Sequence, residues 1–577
     1  MGQKLTVMLS TEGTYPFYQG GVSTWCDILV RKLSNIDYVL YSVITDPYVL
    51  PKFKIPKHAL LKSMPLWGTE EPCEHLDIPF SQVYLAKKRT TPKVIQEQFI
   101  PLFTTLVEEL IGLDRNPQEL AQVMHALYRY FQEYEYKESF KSELTWDVYK
   151  RIVMSAPSLP APDLYGMIQS LGWIFRFFNL LNNPVPKAHV SHSSAAAFCG
   201  IPCVLAKLEH GTPILLTEHG VYLREQYLSL AKRGLSSFLN TFLVRLISSI
   251  VTLNYAYADQ VSPVCQYNTR WETRLGVEAD KIKVIYNGVD DKIFLPSPSP
   301  GNAHPTVVTV ARIDPNKDIL TLIRSAMLVK QRIPNVKYVI HGSVAVPDYY
   351  EECVKLRDQL GLEATVIFAG HTQDMAGAYR SGDVVVLSSI SEAFPYAVVE
   401  AMMTARPVVA TNVGGISEAL GDTGYIVTPR DAEALAEQTA LLLQDAELRR
   451  TLGKAARARA MSFLTLDKVL EQHMKSYIQL SVQSDMAMRE SAASVHVVDR
   501  QRIYVQQGYT LKSQGYYPEA VTQFRAAVQM LPGAASTPAL LAEISECLSH
   551  MGRPDAARME LERMRMLAEL YGFKIVS

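Results

Sequence analysis

Short, continuous apolar runs bounded by polar, glycine-bearing loops alternate with longer stretches of helical period along most of the chain. Runs of about four to eight apolar residues between turn signals read as strands buried on both faces, the habit of parallel sheets. In the first half, residues 5–9 (LTVML) open the pattern as a strand that Ser10-Thr11-Glu12-Gly13 breaks. A helix-like run follows from Gly20-Gly21 to Leu33. Residues 188–192, ending at His192, and 213–217 read as further strands, and 262–265 and 282–288 as the last two of this half. In the second half the strands are 306–310, 336–341, 366–368, 383–387 and 407–411, with apolar helices between them. Strand, helix, strand in strict alternation predicts α/β domains, each built on a doubly wound parallel sheet.

Two stretches depart from that rhythm. From about 47 to 162 helical patterns dominate, as at 96–111 and 117–134, and Pro157, Pro160 and Pro162 close the region. It reads as a helical insertion, and its aromatic stripe (Tyr128, Tyr130, Phe131, Tyr134, Tyr136) fits core packing better than a carbohydrate groove. A Ser/Pro-rich linker at 297–301 separates the halves, giving domains at 1–296 and 303–462. An amphipathic helix at 463–482 and a polar segment to 494 come next. Then Gly515-Tyr516-Tyr517-Pro518-Glu519-Ala520 recurs as Gly552-Arg553-Pro554-Asp555-Ala556-Ala557. The prolines are 36 residues apart (554 − 518), close to the roughly 34-residue tetratricopeptide period. Residues 500–572 therefore read as two helix–turn–helix repeats of tetratricopeptide (TPR) type, a docking module rather than a packing cap.

Composition narrows the classes. At 577 residues the chain exceeds one core, and 48% hydrophobic with 20% charged residues is ordinary for a globular protein. A net charge of −1 argues against a nucleic-acid partner. The seven cysteines are scattered without a CxxC pair, which fits a reducing cytosol. His189, His192, Cys199 and Cys203 match no zinc spacing, so no metal is expected. The amino terminus lacks a signal-peptide apolar core, and Arg245 with its polar neighbours marks 235–255 as a buried helix, not a membrane span. The expected location is cytoplasmic.

The candidate chemistry gathers at 388–415. A strand delivers Glu392 in a loop, Glu400 follows eight positions on within a helical run, and a second strand ends at Gly414-Gly415. Carboxylates suit paired sugar hydroxyls, so this pair could hold two sugars of one sugar nucleotide. Arg312 and Lys317, five apart in a strand-to-helix loop, can both reach one diphosphate. Gly20-Gly21, ahead of a helix, would let backbone amides approach an anion. His219, at a strand end beside Gly220, is placed to face an interdomain cleft, with His192 a second candidate.

The segment Glu392-Ala393-Phe394-Pro395 through Glu400 resembles the two-glutamate signature of retaining glycosyltransferases of family 4, which have the GT-B fold. The opening 14–25 and the Glu-His-Gly-Val-Tyr run at 218–222 are similar to PelF-like members, which serve bacterial exopolysaccharide synthesis. The resemblance covers about residues 1–480 and implies two Rossmann-like domains facing across a cleft, with 463–482 crossing back onto the first. It implies that Glu392 holds the transferred hexose with help from the backbone around Ala393, Phe394 and Pro395, and that Glu400 binds the ribose. It gives Arg312 and Lys317 the diphosphate, closed over by Gly20-Gly21, and brings His219 to the transferred sugar. No Asp-x-Asp stands where a metal-dependent GT-A transferase would use it, so these cations are expected to replace a metal. The implied substrates are a UDP-hexose donor and a glycan acceptor, with no cofactor. The implied setting is the cytoplasm, extending to the inner face of the plasma membrane. A membrane-bound export complex is one candidate for the tail's protein partner. Arg406 departs from the motif, which often has glycine before the Pro-Val-Val strand, and puts the local loop shape in question. The rival readings are a lipid or small-molecule acceptor and a noncatalytic sugar-nucleotide-sensing scaffold.

Overall fold

The computed structural model describes residues 4–66, 79–297, 301–491, 497–530 and 536–571. Cys73, the centre of the linker (298–300) and part of the polar segment (492–494) lie outside the described residues. The chain divides into two compact units. One runs from Thr6 to Met474 apart from Gly211–Pro213, and the other is formed mainly by the tail from Lys475.

The first unit holds two six-stranded sheets. Strands β1 (Thr6–Glu12), β2 (Asp37–Ile44), β3 (Ala59–Pro65), β4 (Val190–Ser193), β5 (Ile214–Glu218) and β6 (Gln260–Pro263) lie in the order β3-β2-β1-β4-β5-β6. Strands β7 (Thr306–Val310), β8 (Lys337–His341), β9 (Val366–Gly370), β10 (Val384–Leu387), β11 (Val408–Thr411) and β12 (Tyr425–Val427) lie in the order β12-β11-β10-β7-β8-β9. All pairings are parallel. Counted from the first strand of each domain, both sheets run 3-2-1-4-5-6, so each has a switch point where successive connections leave in opposite directions. In the second sheet Val307, Val384, Val386 and Val409 pack on one side, and Val308, Val385, Val408 and Ala410 on the other. Burial on both faces is why these strands are apolar throughout.

Several boundaries differ from the sequence reading. Ser10–Glu12 do not break the first strand but extend it, because Ser10, Thr11 and Glu12 pair in register with Tyr41, Ser42 and Val43. Residues 59–65, inside the expected insertion, form edge strand β3. Only Met64 of that strand is buried, so it lacks the apolar run that marks its neighbours. The helical region also continues past 162 through Leu164–Phe177. Residues 282–288 are extended beside β6, with Lys283 and Ile285 donating to Val261 and Pro263, yet only Ile282 forms a bridge. The helix Ala446–Phe463 ends where Leu464 and Thr465 pair with Val289, and a new helix, Leu466–Ser491, then carries the chain into the expected polar segment.

The insertion is held by local rules as well as by its core. Thr91, Asn116, Ser142 and Asp163 each cap a helix by accepting a backbone N–H, and Pro92 and Pro117 occupy first turns, where a missing N–H costs nothing. Tyr128, Tyr130, Phe131 and Tyr136 are buried, with Phe131 and Tyr136 ring centroids 4.7 Å apart, so the stripe is core. Ser237–Tyr257 is long and apolar enough to cross a membrane, yet most of it is buried in this domain. Its Arg245 donates to Ile111 O at 2.6 Å and Ser158 Oγ at 2.8 Å.

The tail contains helices Val497–Ser513, Tyr517–Met530, Thr537–His550 and Pro554–Tyr571. The repeated sequence has a geometric cause. Gly515 and Gly552 both sit at positive φ (81° and 68°), and the next amide in each case reaches back to a carbonyl five residues earlier, Leu511 and Leu548, at 3.0 Å. Lys512 pairs with Glu543 and Glu546, and Arg525 with Glu560, so ion pairs tie each helix of the first hairpin to the second.

Candidate active site

Because β7 and β10 are neighbours at the switch point, the loops that follow them are brought together although they lie far apart in sequence. The loop after β7 carries Arg312 and Lys317; that after β10 carries Glu392. Lys317 Nζ donates to Glu392 Oε1, and Ser389 Oγ donates to the same oxygen at 2.7 Å. Backbone contacts lock the two loops, with Ile390 N donating to Asn316 O and Ser388 Oγ to Lys317 O, both at 2.8 Å. Asp318, left-handed at φ 46°, turns the chain sharply into the helix Ile319–Arg332 and caps it through Thr321 N. Arg312 is not drawn into this pair. Its side chain is 68% exposed and lies 3.4 Å from Asp314, against 21% exposure for Lys317.

Glu392 is also fixed from behind. Gly415 N donates to Ala393 O at 2.6 Å, and Asn287 Nδ2 donates to Phe394 O at 3.1 Å from the first domain. Gly414, at φ 57°, lies so close that a Cβ there would stand 2.0 Å from Glu392 O. Phe394 and Pro395 are buried, and Pro395 precedes the helix Tyr396–Met403, which carries Glu400. Glu400 Oε2 accepts from Tyr379 Oη at 2.7 Å. Burial pushes its carboxyl up to about 7, and the Tyr379 hydroxyl opposes that rise. Tyr379→Phe removes the hydrogen bond that favours the ionised form, so Glu400 should stay protonated to higher pH. A rise of one unit from about 7 is worth about 1.4 kcal/mol and cuts the ionised fraction at pH 7 about fivefold, so a sugar nucleotide gripped by that carboxylate should bind about fivefold more weakly. Isothermal titration at pH 6 and pH 8 measures this, and the deficit should shrink at the higher pH.

Across from this cluster stand loops of the first sheet. Arg224, beyond β5, reaches Ser391 Oγ at 3.4 Å, so the carboxyl ends of the two sheets meet. Glu418 of the second domain accepts from Gln266 N and Tyr267 N at 2.6 and 2.5 Å, capping the helix Gln266–Arg274 of the first. His219 follows β5, and its Nε2 is buried without a hydrogen-bond partner. The ring packs edge-on against Trp25, centroids 4.5 Å apart, and burial lowers its basicity to about 3. His192 also touches Trp25, is bonded to Thr217 Oγ1 at 2.8 Å, and is held well below its usual range by burial. His473, on the crossover helix, completes the group at 5.5 Å from Trp25, with burial lowering it to about 3. Three neutral imidazoles thus surround one indole.

Gly20 and Gly21 are exposed at the start of the helix Gly21–Lys32, and a Cβ built on either meets nothing within 4 Å. His189, once grouped with Cys199 and Cys203, instead accepts Thr6 N at 2.9 Å. Among the described residues no cluster of three or more His, Cys, Asp or Glu side chains could hold a metal. Ser389, Tyr379, Trp25 and His473 were not anticipated from the sequence, which has no local signal for contacts made through strand order. Asn287 falls within the run 282–288, where nothing in the sequence marks it as a contact of the second domain. Arg406 is buried and donates to Ser297 Oγ and Arg380 O, which anchors the Pro-Val-Val strand's approach.

Residues 294–459 match the family Glycosyl transferases group 1, and residues 5–280 match a domain of unknown function, DUF3492. The chain is 27% identical over 349 residues to the alpha-maltose-1-phosphate synthase of Mycolicibacterium smegmatis, covering 56% of this chain and 87% of that protein. It is 30% identical over 185 residues to the trehalose synthase of Pyrococcus horikoshii, covering 30% of this chain and 43% of that protein. The chain thus spans less than half the length of that relative. Among solved structures, sucrose-phosphate synthase from Thermosynechococcus elongatus superposes with a TM-score of 0.52 at 18% identity, covering 83% of this chain and 99% of that one. Anabaena HepE in complex with UDP and glucose gives 0.50 at 17% identity, covering 82% and 99%. The fold is GT-B, with a helical carboxyl-terminal region, and its second domain is matched by the group 1 glycosyl transferase family.

Proposed function

We propose that the protein is a retaining glycosyltransferase of the PelF-like kind, moving a hexose from a UDP-sugar to a growing bacterial exopolysaccharide or another glycan. The observation that carries this reading is the meeting of Lys317 and Glu392 at the switch point of the second sheet. A cation for the departing diphosphate and a carboxylate for the sugar hydroxyls stand side by side, within loops anchored to rigid strands. Glu400 would take the ribose, and Arg312 would swing from Asp314 to the diphosphate. Gly20-Gly21 would approach the same phosphates, and the neutral His219 would hydrogen-bond the hexose. The bond from anomeric carbon to diphosphate oxygen breaks as the acceptor oxygen attacks the same face. The acceptor's proton leaves with the diphosphate, so no side chain acts as a covalent nucleophile and cationic side chains do a metal's electrostatic work. The choice of UDP leans on the PelF-like resemblance and on HepE, whose structure holds UDP and glucose. Within this reading the enzyme works in the cytoplasm or at the inner face of the plasma membrane. The TPR-like tail is its docking module.

A panel of UDP-, GDP- and ADP-hexoses, read by mass spectrometry with oligosaccharide acceptors and a membrane fraction present, tests the proposal. Release of UDP from one donor, lost in Glu392→Ala and in Arg312→Ala, is the expected result. Binding of a sugar nucleotide without turnover of any donor would point to the scaffold reading instead.

A further inference from the structure

Immediately before His219 lies a pair of acids that the chemistry above does not use. Glu218 ends β5 and Glu272 lies in the helix Gln266–Arg274, and both are fully buried. None of the four carboxylate oxygens has a well-formed hydrogen bond, and neither has Tyr255 Oη, although Tyr255 Oη and the Tyr222 N–H both lie close enough to Glu218 to favour its charge. The two carboxyls are nonetheless within reach of a mutual hydrogen bond. Two ionised carboxylates in that position would repel each other in a medium of low dielectric, whereas one proton turns the repulsion into an O–H···O bond. Among the described residues, the groups that weigh most on the pair are neutral or acidic. Tyr255 faces the pair from the helix Ser237–Tyr257, Glu225 from Tyr222–Leu230, and Cys265 lies ahead of the helix that carries Glu272. Burial pushes both carboxyls up; the charge of Glu218 pushes Glu272 further, while a bond from Glu272 holds Glu218 back.

We propose that Glu218 and Glu272 share a single proton, and that this proton fixes the turn carrying His219 against Trp25. Glu218 is bonded in sequence to His219, and its carboxylate also faces the backbone N–H of Tyr222, so the acid pair reaches the turn at both ends. Glu272 touches no substrate in this arrangement and is a positioning residue. The positioning role rests on the transferase reading of His219, while the shared proton does not. When the proton is lost at high pH the two charges separate, the turn shifts and the imidazole leaves its place.

The test uses the full chain and the variant Glu272→Gln, whose amide can donate to Glu218 without titrating. Folded-state values lie above the unfolded value, so the stability the pair contributes is complete at low pH and is lost as pH rises through the raised values. The unfolding temperature of the natural protein should therefore fall between pH 6 and pH 9 more steeply than that of the variant. Equal slopes would overturn the shared proton. In turnover, the natural protein should lose about tenfold in kcat for each pH unit beyond the pair's ionisation, and Glu272→Gln should delay that fall by about one unit or more. Unchanged kcat profiles beside a flattened stability profile would overturn the positioning role alone. Absence of turnover in both proteins, beside a flattened stability profile, would remove the transferase reading and the positioning role while the proton pair stands. Should Glu272→Gln not fold, Glu218→Gln interrogates the same proton from the other side with the same readouts.

Discussion

Lys317→Ala is expected to lower kcat by about a hundred- to a thousandfold, the usual cost of removing a preorganised donor to a developing negative charge. The donor KM should change far less, because charge on the diphosphate grows as the sugar bond breaks and is smaller in the bound ground state. A second effect follows from the contact with Glu392. That carboxylate is only 11% exposed, and without Lys317 it keeps Ser389 as its side-chain donor. Removing one partner of a fully buried pair costs about 3–5 kcal/mol; here Lys317 is 21% exposed, and solvent screening reduces the expected loss to about 1–3 kcal/mol. The variant should thus unfold several degrees lower. Lys317→Arg should restore stability better than turnover, since a planar fork does not place a point charge where the ammonium stood. Steady-state kinetics with thermal unfolding separates the two effects. A kcat within threefold of the natural protein would mean that Lys317 serves only to hold Glu392.

Gly414→Ala should be nearly as damaging without touching any charged group. An added methyl would stand 2.0 Å from Glu392 O and 2.7 Å from Ala393 O, at a residue whose φ is 57°. The left-handed conformation alone costs a side chain roughly 1–2 kcal/mol, and both close atoms belong to backbone, which cannot rotate aside. The loop that holds Glu392 must move, and a displacement of about 1 Å at a positioned group can cost about a hundredfold in rate. Gly20→Ala makes the informative contrast. Its φ of 163° is extended backbone open to any residue, and a Cβ there meets nothing within 4 Å. The unfolding temperature should not move, so any rise in donor KM would report the close approach of a phosphate. Unchanged stability and turnover in Gly414→Ala would show that the loop accommodates the methyl and that the glycine is dispensable.

The parts of this fold that could be read from sequence are those where one physical cause dominates. The strand at 306–310 was found with its own boundaries because it is buried on both faces and has no polar residue beyond threonine. Edge strand β3 was missed because its burial is partial, so its side chains do not spell a strand. The turn at Ser10–Glu12 was misread because polar residues signal a break, whereas these continue the ladder and serve inward contacts: Ser10 Oγ bonds Cys199 O, and Glu12 accepts from Cys199 N. For the site, residue types and spacing together with the family resemblance pick out Lys317 and Glu392, and the structure brings the two side chains together. Their mutual contact was not legible, because it depends on β7 and β10 being neighbours in the sheet. His473 was invisible for a similar reason, since a histidine in an amphipathic helix declares nothing until the helix is packed on Trp25.

That tryptophan makes the molecule its own optical instrument. Trp25 lies in the first turns of the helix opened by Gly21, where it touches His192, His219 and His473. In the proposed reading its indole emission should respond to a phosphate arriving at the glycine pair and to a sugar arriving at His219, and in any reading to a shift of the crossover helix. One indole thus stands where the first sheet's histidines and the crossover helix meet.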